Sequence, residues 1–288
     1  MSGKVSILIP TYNRVQLIER SIESALRQTY KNIEVILSDN CSTDGTWERI
    51  QGYVRQDTRV KAWRTESNIG PFENWVHGLK HCQGDYVKIL WSDDAIAPEF
   101  IQTCVDILQE RSDVGLVFTG VIHHKENNEK AGAFPGQELM SSVQYVAKTM
   151  ASQGLPVSPG CALVRRKDAC FQIIKDSDPR LEEYALRFGA GPDVLFLFES
   201  ARPYAYVAHV PQYLAHFHGE HEHITGQHQK EVSLAYHLTY QNLLRNPTQP
   251  FYHKVKREFA KIKWKQKFAR FLKKLGFNRK SSKRLAAN

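Results

Sequence analysis

The chain has 288 residues, 42% of them hydrophobic and 24% charged, which is typical of a globular protein and excludes bulk disorder. Five scattered cysteines without a C-x-x-C pair exclude a disulfide scaffold, and the longest apolar runs are too short to cross a bilayer. Because the N-terminus has no signal-peptide pattern, we expect a cytoplasmic protein made of one large domain or one domain with an appendage.

The net charge of +9 is concentrated near the C-terminus. Fourteen of the 39 basic residues, with a single acid, lie between Lys254 and Arg284, so the rest of the chain is mildly acidic. We therefore expect an anionic partner for this basic tail. No nucleic-acid partner is expected, because nothing in the body extends the basic patch.

Short apolar runs alternate with helical patterns over the first 122 residues. The predicted strands are Lys4–Pro10, Asn32–Asn40, Val60–Arg64, Tyr86–Trp91 and Val114–Ile122. The predicted helices are Val15–Gln28, Thr43–Arg55, Phe72–His81 and Glu99–Gln109. Strands that are apolar on both faces and separated by helices indicate βαβ units, so we predict an α/β fold with a mostly parallel sheet.

The second half of the chain is less regular. We predict a loop at His123–Glu138, helices near Ser142–Ala151, Asp193–Ala201 and Ser233–Leu244, a strand at Cys161–Arg165, and an aromatic, histidine-rich stretch at Tyr204–His223. The proline-containing stretch Asn246–Pro250 separates this part from the basic tail.

Polar and charged residues follow the predicted strands at their carboxyl ends. In a parallel α/β sheet these ends meet at one edge, where ligands bind. Carboxylates there suit Mg²⁺ or Mn²⁺, and arginines suit phosphate oxygens, so the sequence predicts a site for a nucleotide diphosphate and its cation. Each string alone could be a helix cap or a turn. The residues at the strand ends are Thr11, Tyr12, Arg14, Asp39, Arg64, Asp93 and Asp94.

The N-terminal part resembles the family 2 glycosyltransferases, whose nucleotide-sugar-binding fold is called GT-A. The matching strings are VSILIPTYNR (Val5–Arg14), QTYKNIEVILSDNCSTDGT (Gln28–Thr46), SNIGPFENWVHGL (Ser67–Leu79) and GDYVKILWSDDAIAPEFI (Gly84–Ile101). A weaker match at Gly191–Thr225 resembles the family's acceptor-side half. We accordingly expect a nucleotide-sugar-binding half at 1–122, an acceptor-binding half of the same domain at 123–250, and a helical basic tail at 251–288.

The resemblance also implies a role for each matching residue. Thr11, Tyr12 and Arg14 would line the nucleotide pocket, Asp39 would bind the base, and Arg64 would lie near the nucleotide. Asp93 would contact ribose or sugar. Asp94 would ligate the metal that bridges the two phosphates, His218 would reach the diphosphate or its metal, and Asp193 would be the catalytic base.

The chain departs from the family pattern at three places. Trp91 replaces the usual first acid of the D-x-D-type string, Pro192 replaces the usual Glu before the base, and no arginine accompanies His218. Glu182 and Glu183 are therefore alternative bases. A zinc site at the H-x-H pairs His216/His218 and His221/His223 is disfavoured, because no paired cysteines or H-E-x-x-H helix accompany them.

The expected function is transfer of a sugar from a nucleotide-diphosphate donor to a glycan or lipid-linked acceptor, with Mn²⁺ or Mg²⁺ and with inversion at the anomeric carbon. A rival is a catalytically inactive nucleotide- or sugar-binding protein that kept the fold. A sugar-phosphate nucleotidyltransferase is disfavoured, because the G-x-G-T-R signature is missing after the first strand.

The basic tail changes its apolar face along its length. At helical spacing Val255, Phe259 and Ile262 share one side, whereas Trp264, Phe268, Phe271, Leu272 and Leu275 share another. We predict two segments, one packed on the body and a second that lies on an anionic membrane surface. This predicts a peripheral association with the inner face of the cell membrane; a helix docked on the body is the alternative.

Overall fold

The computed structural model describes residues 3–125, 128–132, 138–172, 178–219, 227–245 and 249–274. The strands are β1 (Val5–Thr11), β2 (Ile33–Asp39), β3 (Val60–Arg64), β4 (Tyr86–Ile89), β5 (Ala95–Ile96), β6 (Val114–Lys125), β7 (Asn128–Gly132), β8 (Leu139–Ser141), β9 (Ala162–Arg165) and β10 (Tyr206–His218). The helices are α1 (Ile18–Leu26), α2 (Thr46–Gln56), α3 (Pro71–Leu79), α4 (Phe100–Glu110), α5 (Ser142–Met150), α6 (Pro179–Phe188), α7 (Pro192–Ala201), α8 (Gln229–Arg245) and α9 (Pro250–Lys274).

The strands form one sheet in the order β3-β2-β1-β4-β9-β6-β10-β5, with β7 paired to β6 and β8 paired to β10. Strands β3, β2, β1 and β4 are parallel, and β6 is parallel to β10. Strand β9 runs antiparallel to both β4 and β6, so those two strands share a direction. Six of the seven strands from β3 to β10 therefore run the same way, which confirms the predicted α/β fold with a mostly parallel sheet.

Helices cover both faces of the sheet, which is why β1 and β2 are buried along their whole length. Ile7 and Ile9 pack with α1, α2 and α4 on one face, and Leu8 packs with α3, α5 and α7 on the other. Because successive side chains of a strand point to opposite faces, an unbroken apolar run is needed to fill both halves of the core.

The predicted loop at His123–Glu138 is partly wrong. Strand β6 continues to Lys125, and β7 pairs antiparallel with its end, with Val121 opposite Gly132. The segment is polar because this hairpin is largely exposed at the end of the sheet, where few of its side chains enter the core. Residues 126–127 and 133–137 lie outside the described part of the chain.

The tail is a single helix up to Lys274 rather than two segments, so that prediction is wrong. The predicted change of face is confirmed, because Val255 and Ile262 are buried whereas Trp264 and Phe268 are 64% and 46% exposed. One continuous helix accommodates both faces because the side that carries Val255 and Ile262 packs on the body, where α5 and α8 contact the helix, whereas the side that carries Trp264 and Phe268 is exposed. Within the described ranges, no helix is long and apolar enough to cross a membrane.

A buried carboxylate near the start of β2 forms hydrogen bonds with several neighbouring segments. Glu34 is 1% exposed and accepts hydrogen bonds from Lys4 Nζ and Ser6 Oγ at 2.7 Å, from the Gln83 amide at 2.8 Å and from Lys61 Nζ at 3.1 Å. Burial alone would raise the pKa of Glu34, but these donors together lower it from 4.5 to about 2. The ionised form therefore stabilises the fold.

Replacing Glu34 by glutamine should lower the free energy of unfolding by roughly 3 kcal/mol at pH 7. This is the free energy by which a pKa lowered from 4.5 to about 2 favours the ionised carboxylate in the folded state. A depressed carboxyl pKa stabilises above the unfolded value, so the contribution should be lost as pH falls from about 4.5 towards 2. Urea unfolding at pH 7 and pH 3 measures both effects. The control is Glu19→Gln, whose half-exposed ion pair with Arg49 should contribute less than about 1 kcal/mol. An equal loss for Glu34→Gln at both pH values would contradict this account.

Candidate active site

The carboxyl ends of β1, β2 and β3 place three of the predicted site residues in one row. Thr11 is opposite Asp39 in the β1–β2 pairing, and Asp39 is opposite Arg64 in the β2–β3 pairing. The row exists because parallel strands in register bring residues from three separate segments to the same level of the sheet.

Asp39 is fully buried in this row. Its carboxylate accepts the Ser42 amide at 3.1 Å and the Ser42 hydroxyl, and it lies 3.3 Å from Arg64 Nε. Burial raises the pKa of Asp39, and the Ser42 and Arg64 contacts offset only part of that rise. Arg64 is held in turn, because it donates to the Ser42 carbonyl at 2.6 Å and lies 5.6 Å from the Trp47 ring centroid.

The loop after β1 is tied to the loop after β2. Asn13 has a left-handed φ of 51°, and its amide donates to Ser42 Oγ at 2.9 Å. The amide of Arg14 donates to Thr46 Oγ1 at 2.8 Å, and its guanidinium donates to the Asn13 carbonyl at 3.1 Å. These contacts leave the Tyr12 side chain 40% exposed at the edge. The Thr11 hydroxyl is buried and has no hydrogen-bond partner among the described residues.

Asp93 and Asp94 lie in the turn between β4 and β5. The Asp94 carboxylate is 6% exposed and accepts the backbone amide of His218 at 2.9 Å, although 124 residues separate the two. Burial, followed by the neighbouring Asp93, raises the pKa of Asp94 well above its ordinary value. His218 thus reaches Asp94 through its backbone, while its ring stacks on His124 with centroids 4.3 Å apart.

The carboxylate oxygens at this turn fit a divalent cation that is held jointly by the protein and by a bound phosphate ligand. Within the described ranges no group of three or more His, Cys, Asp and Glu side chains could hold a metal ion unaided. Mg²⁺ is commonly bound by one or two carboxylates together with substrate phosphates, and two adjacent buried or half-buried acids supply such oxygens. A cation would also offset the charge repulsion between Asp93 and Asp94.

Asp193 lies in the first turn of α7. Its Oδ1 accepts the amides of Gly191 at 3.0 Å and Val194 at 2.8 Å, and its Oδ2 accepts the Tyr236 hydroxyl. Burial raises the pKa of Asp193 to about 6, although the Tyr236 and backbone hydrogen bonds counteract part of the shift. Pro192 suits this place, because the first position of a helix needs no amide donor.

Two tryptophans pack between the segment that precedes α7 and the turn that carries Asp93 and Asp94. The centroids of the Trp91 and Trp75 rings lie 5.0 Å apart, and Trp75 fills the space that a side chain at Gly189 would occupy. Trp91 also donates from Nε1 to Ser158 Oγ at 3.0 Å. The unusual residue in the acid string is therefore a packing element between α3 and the Ser158 loop.

Sequence reasoning missed Tyr236, because α8 supplies it from 43 residues further along the chain and no local motif marks it. The alternative bases Glu182 and Glu183 are exposed on α6, in contrast to Asp193.

The histidines of the H-x-H pairs contact other side chains where the structure describes them. The distance from His216 Nδ1 to His124 Nε2 is 3.0 Å, and His124 Nδ1 lies 3.0 Å from Glu129. His221 and His223 lie outside the described residues.

Comparison with known proteins agrees with this architecture. The chain resembles glycosyltransferase GlyG of Streptococcus pneumoniae serotype 4 (32% identical over 128 residues, 44% of this chain and 42% of the relative). It also resembles the GalNAc(5)-diNAcBac-PP-undecaprenol beta-1,3-glucosyltransferase of Campylobacter jejuni (32% over 128 residues, 43% of this chain and 40% of the relative). The matched stretch thus spans about two fifths of each relative's length.

Solved structures share the fold at low identity. S. aureus TarS 1-349 in complex with UDP-GlcNAc aligns with a TM-score of 0.66 and 19% identity over 89% of this chain and 71% of TarS. Mannosyltransferase PcManGT from Pyrobaculum calidifontis in complex with GDP-Man and Mn²⁺ aligns with a TM-score of 0.59 and 16% identity over 90% of this chain and 70% of that one. The family model described as Glycosyl transferase family 2 matches residues 6–170. With a GT-A-type fold and a match over more than half its length, the chain belongs to glycosyl transferase family 2.

Proposed function

We propose that this chain transfers a sugar from a nucleotide-diphosphate sugar to a glycan or lipid-linked acceptor, with inversion and with Mn²⁺ or Mg²⁺. The observation that carries the proposal is that Asp94 and Asp193 occupy two different carboxylate environments. Asp94 lies buried beside a second acid at the end of β4, whereas Asp193 stands at the start of α7 with hydrogen-bond donors around it.

The donor lies along the row at the carboxyl ends of β1 to β3 in this proposal. Thr11, Tyr12 and Arg14 line its nucleotide and Asp39 binds the base, while Arg64 both holds Asp39 and faces the nucleotide. The partnerless Thr11 hydroxyl among the described residues supports a ligand at this edge, because buried hydroxyls are normally hydrogen-bonded.

Asp94 would hold the cation together with the diphosphate, and Asp93 would contact ribose or sugar. The cation, when bound, offsets the charge that builds up on the departing diphosphate. His218 keeps the Asp94 carboxylate in place through its amide, while its ring stacks on His124. In this proposal the His218 ring would reach the diphosphate or its metal.

Asp193 would take the proton of the acceptor hydroxyl. A base works best when its pKa approaches the operating pH, and a pKa of about 6 leaves Asp193 ionised at neutral pH yet more basic than an ordinary aspartate. The Tyr236 hydroxyl and two amides orient it. One base and one displacement invert the anomeric centre without an enzyme nucleophile.

The inactive-protein alternative rests on Trp91 and Pro192, yet both residues have structural reasons to be where they are. A thermal-shift screen of UDP-, GDP- and dTDP-sugars with Mn²⁺ or with EDTA tests donor binding, because a ligand of the folded state raises its stability. Donor hydrolysis by the same samples then distinguishes an active glycosyltransferase from an inactive binding protein. A metal-dependent shift without any hydrolysis or transfer would favour the binding protein.

We also propose the division into a donor half (1–122), an acceptor half (123–250) and a membrane-binding tail (251–288), in a protein on the inner face of the cell membrane. The exposed Trp264 and Phe268 rings stack with centroids 5.3 Å apart on a helix that also exposes Lys265, Lys267 and Arg270. Exposed aromatics beside basic residues are typical of interfacial helices.

Deletion of Trp264–Asn288 should release the protein from vesicles containing anionic lipid while leaving donor binding intact. The deleted segment holds nine bases and no acid, and each base near an anionic surface contributes about 1 kcal/mol. Flotation with anionic and zwitterionic vesicles at low and high salt measures the effect, and binding of the full chain should weaken with salt. Equal flotation of the full chain and the truncated protein would contradict the membrane proposal and favour the alternative of a tail helix docked on the body.

A further inference from the structure

The loop between β3 and α3, residues 65–70, is held by a buried side chain that follows β2. Asn40 is 2% exposed, and its Nδ2 donates to Asn68 Oδ1 at 2.8 Å and to the Gly70 carbonyl at 3.2 Å. Its Oδ1 accepts the Ile69 amide at 2.9 Å. One buried amide side chain therefore contacts three consecutive residues of the 65–70 loop.

Backbone contacts place the same loop beside the row of candidate nucleotide-binding residues. The Asn40 amide donates to the Thr11 carbonyl at 2.9 Å, so Asn40 is itself fixed to the end of β1. The Thr65 amide donates to the Asp39 carbonyl at 3.0 Å, and the loop begins directly after Arg64. Because Thr11, Asp39 and Arg64 form that row, the 65–70 loop is part of its border.

The other end of the loop contacts the helix that precedes the proposed base. Gly70 has a left-handed φ of 84°, and a side chain there would approach the Leu186 carbonyl oxygen to 2.9 Å. Glycine allows both the conformation and the close approach. Leu186 lies on α6, and the next helix begins with Asp193 in its first turn. The loop therefore contacts the proposed donor row on one side and α6 on the other.

Large apolar side chains remain exposed around this loop. Tyr12, Ile69 and Leu186 are 40%, 39% and 38% exposed. Ile69 is in the loop itself, and its backbone is already fixed by the hydrogen bond to Asn40. An apolar side chain that is held in place at the surface gains free energy when a ligand covers it, and little further ordering is needed.

We propose that Asn40 is a positioning residue for the donor site and that Ile69, in the loop it holds, packs against the nucleoside of the donor. The inference rests on the proposed glycosyltransferase function and adds two residues on which donor affinity depends. Asn40 is too buried to touch the donor, so it acts through the 65–70 loop.

Calorimetric titration of the full chain with UDP and with GDP, each with Mn²⁺, measures the affinity for a nucleotide. Ile69→Ala should weaken binding by about fivefold, because the apolar contact is lost. Asn40→Ala should weaken it by about tenfold, because the whole loop loses its support. The double variant should lose no more than Asn40→Ala alone, because Ile69 contributes only while the loop is held. Asn40→Asp keeps an acceptor for the Ile69 amide and should lie between Asn40→Ala and the unchanged chain.

Hydrogen exchange without nucleotide tests the positioning role separately. Peptides from the 65–70 loop should exchange about tenfold faster in Asn40→Ala and at the normal rate in Ile69→Ala, whose backbone hydrogen bond persists. Asn32→Ala is the matched control, because Asn32 is exposed at the opposite end of β2. It should resemble the unchanged chain in exchange and in nucleotide binding. Thermal unfolding without nucleotide shows which variants are folded, and the exposed Ile69 tests the contact independently of folding.

The two proposals fail in different ways. Unchanged loop exchange in Asn40→Ala, undiminished nucleotide binding by Asn40→Ala or Ile69→Ala, or additive losses in the double variant would each overturn the inference about the loop. If the unchanged chain binds neither UDP nor GDP in a screen where other nucleotide sugars also fail, the proposed donor function is overturned and this inference with it. Binding that all variants share equally would overturn the inference alone.

Discussion

Asp193→Asn is expected to reduce sugar transfer by about 10³-fold while nucleotide-sugar affinity stays within a factor of two. The amide keeps an acceptor oxygen for the Gly191 and Val194 amides but cannot take the acceptor's proton. Product formation under donor saturation measures the loss, and a thermal shift with donor and Mn²⁺ shows that binding survives. Glu182→Gln is the control, since that carboxylate is exposed on α6 and should be dispensable.

The pH dependence provides a second readout of the same residue. Because the pKa of Asp193 is about 6, transfer should fall as pH decreases through 6, where the base becomes protonated. Tyr236→Phe removes one donor to the carboxylate, so the lower limb of the profile should move to higher pH. Full transfer by Asp193→Asn would exclude Asp193 as the base, and a loss of transfer in Glu182→Gln would assign the base to α6.

Asp94→Asn is expected to abolish the Mn²⁺-dependent part of donor binding, with an affinity loss of about 100-fold or more, because an amide replaces the carboxylate oxygen next to the diphosphate. The amide oxygen still accepts the His218 N–H, so the fold should persist. Thermal shifts with donor, measured with Mn²⁺ and with EDTA, isolate the metal-dependent part.

The surface variant Asp106→Asn serves as the control, because Asp106 is exposed on α4, where its carboxylate accepts a hydrogen bond from Gln102 Nε2 at 2.7 Å. It should retain the full difference between Mn²⁺ and EDTA. The assignment of Asp94 as the metal ligand fails if Asp94→Asn shows the same difference as the unchanged chain. It also fails if that variant transfers sugar at the normal rate without added metal.

Local patterns in the sequence were sufficient to predict the first four strands and to place the candidate site residues Thr11, Asp39 and Arg64 at strand ends. Alternation of apolar strands with amphipathic helices has a short period, so each element can be recognised from its own residues. Parallel pairing then places Thr11, Asp39 and Arg64 side by side, because strands in register align their ends. The same short motifs carried the resemblance to family 2 glycosyltransferases.

Contacts between distant segments decided the rest. The 13-residue strand β10 is irregular in sequence and becomes a strand because β6 pairs along it. Its end brings His218 to Asp94 across 124 residues, and α8 brings Tyr236 to Asp193 across 43. No local period encodes such pairs.

The basic tail shows the division most clearly. Its sequence determined that two apolar faces exist, because helical spacing alone separates Ile262 from Trp264. Only the tertiary structure decided that one continuous helix carries both, since packing on α5 buries the first face and no partner in the described structure covers the second. Sequence periodicity thus specifies which side of an element is apolar, and tertiary packing determines what that side meets.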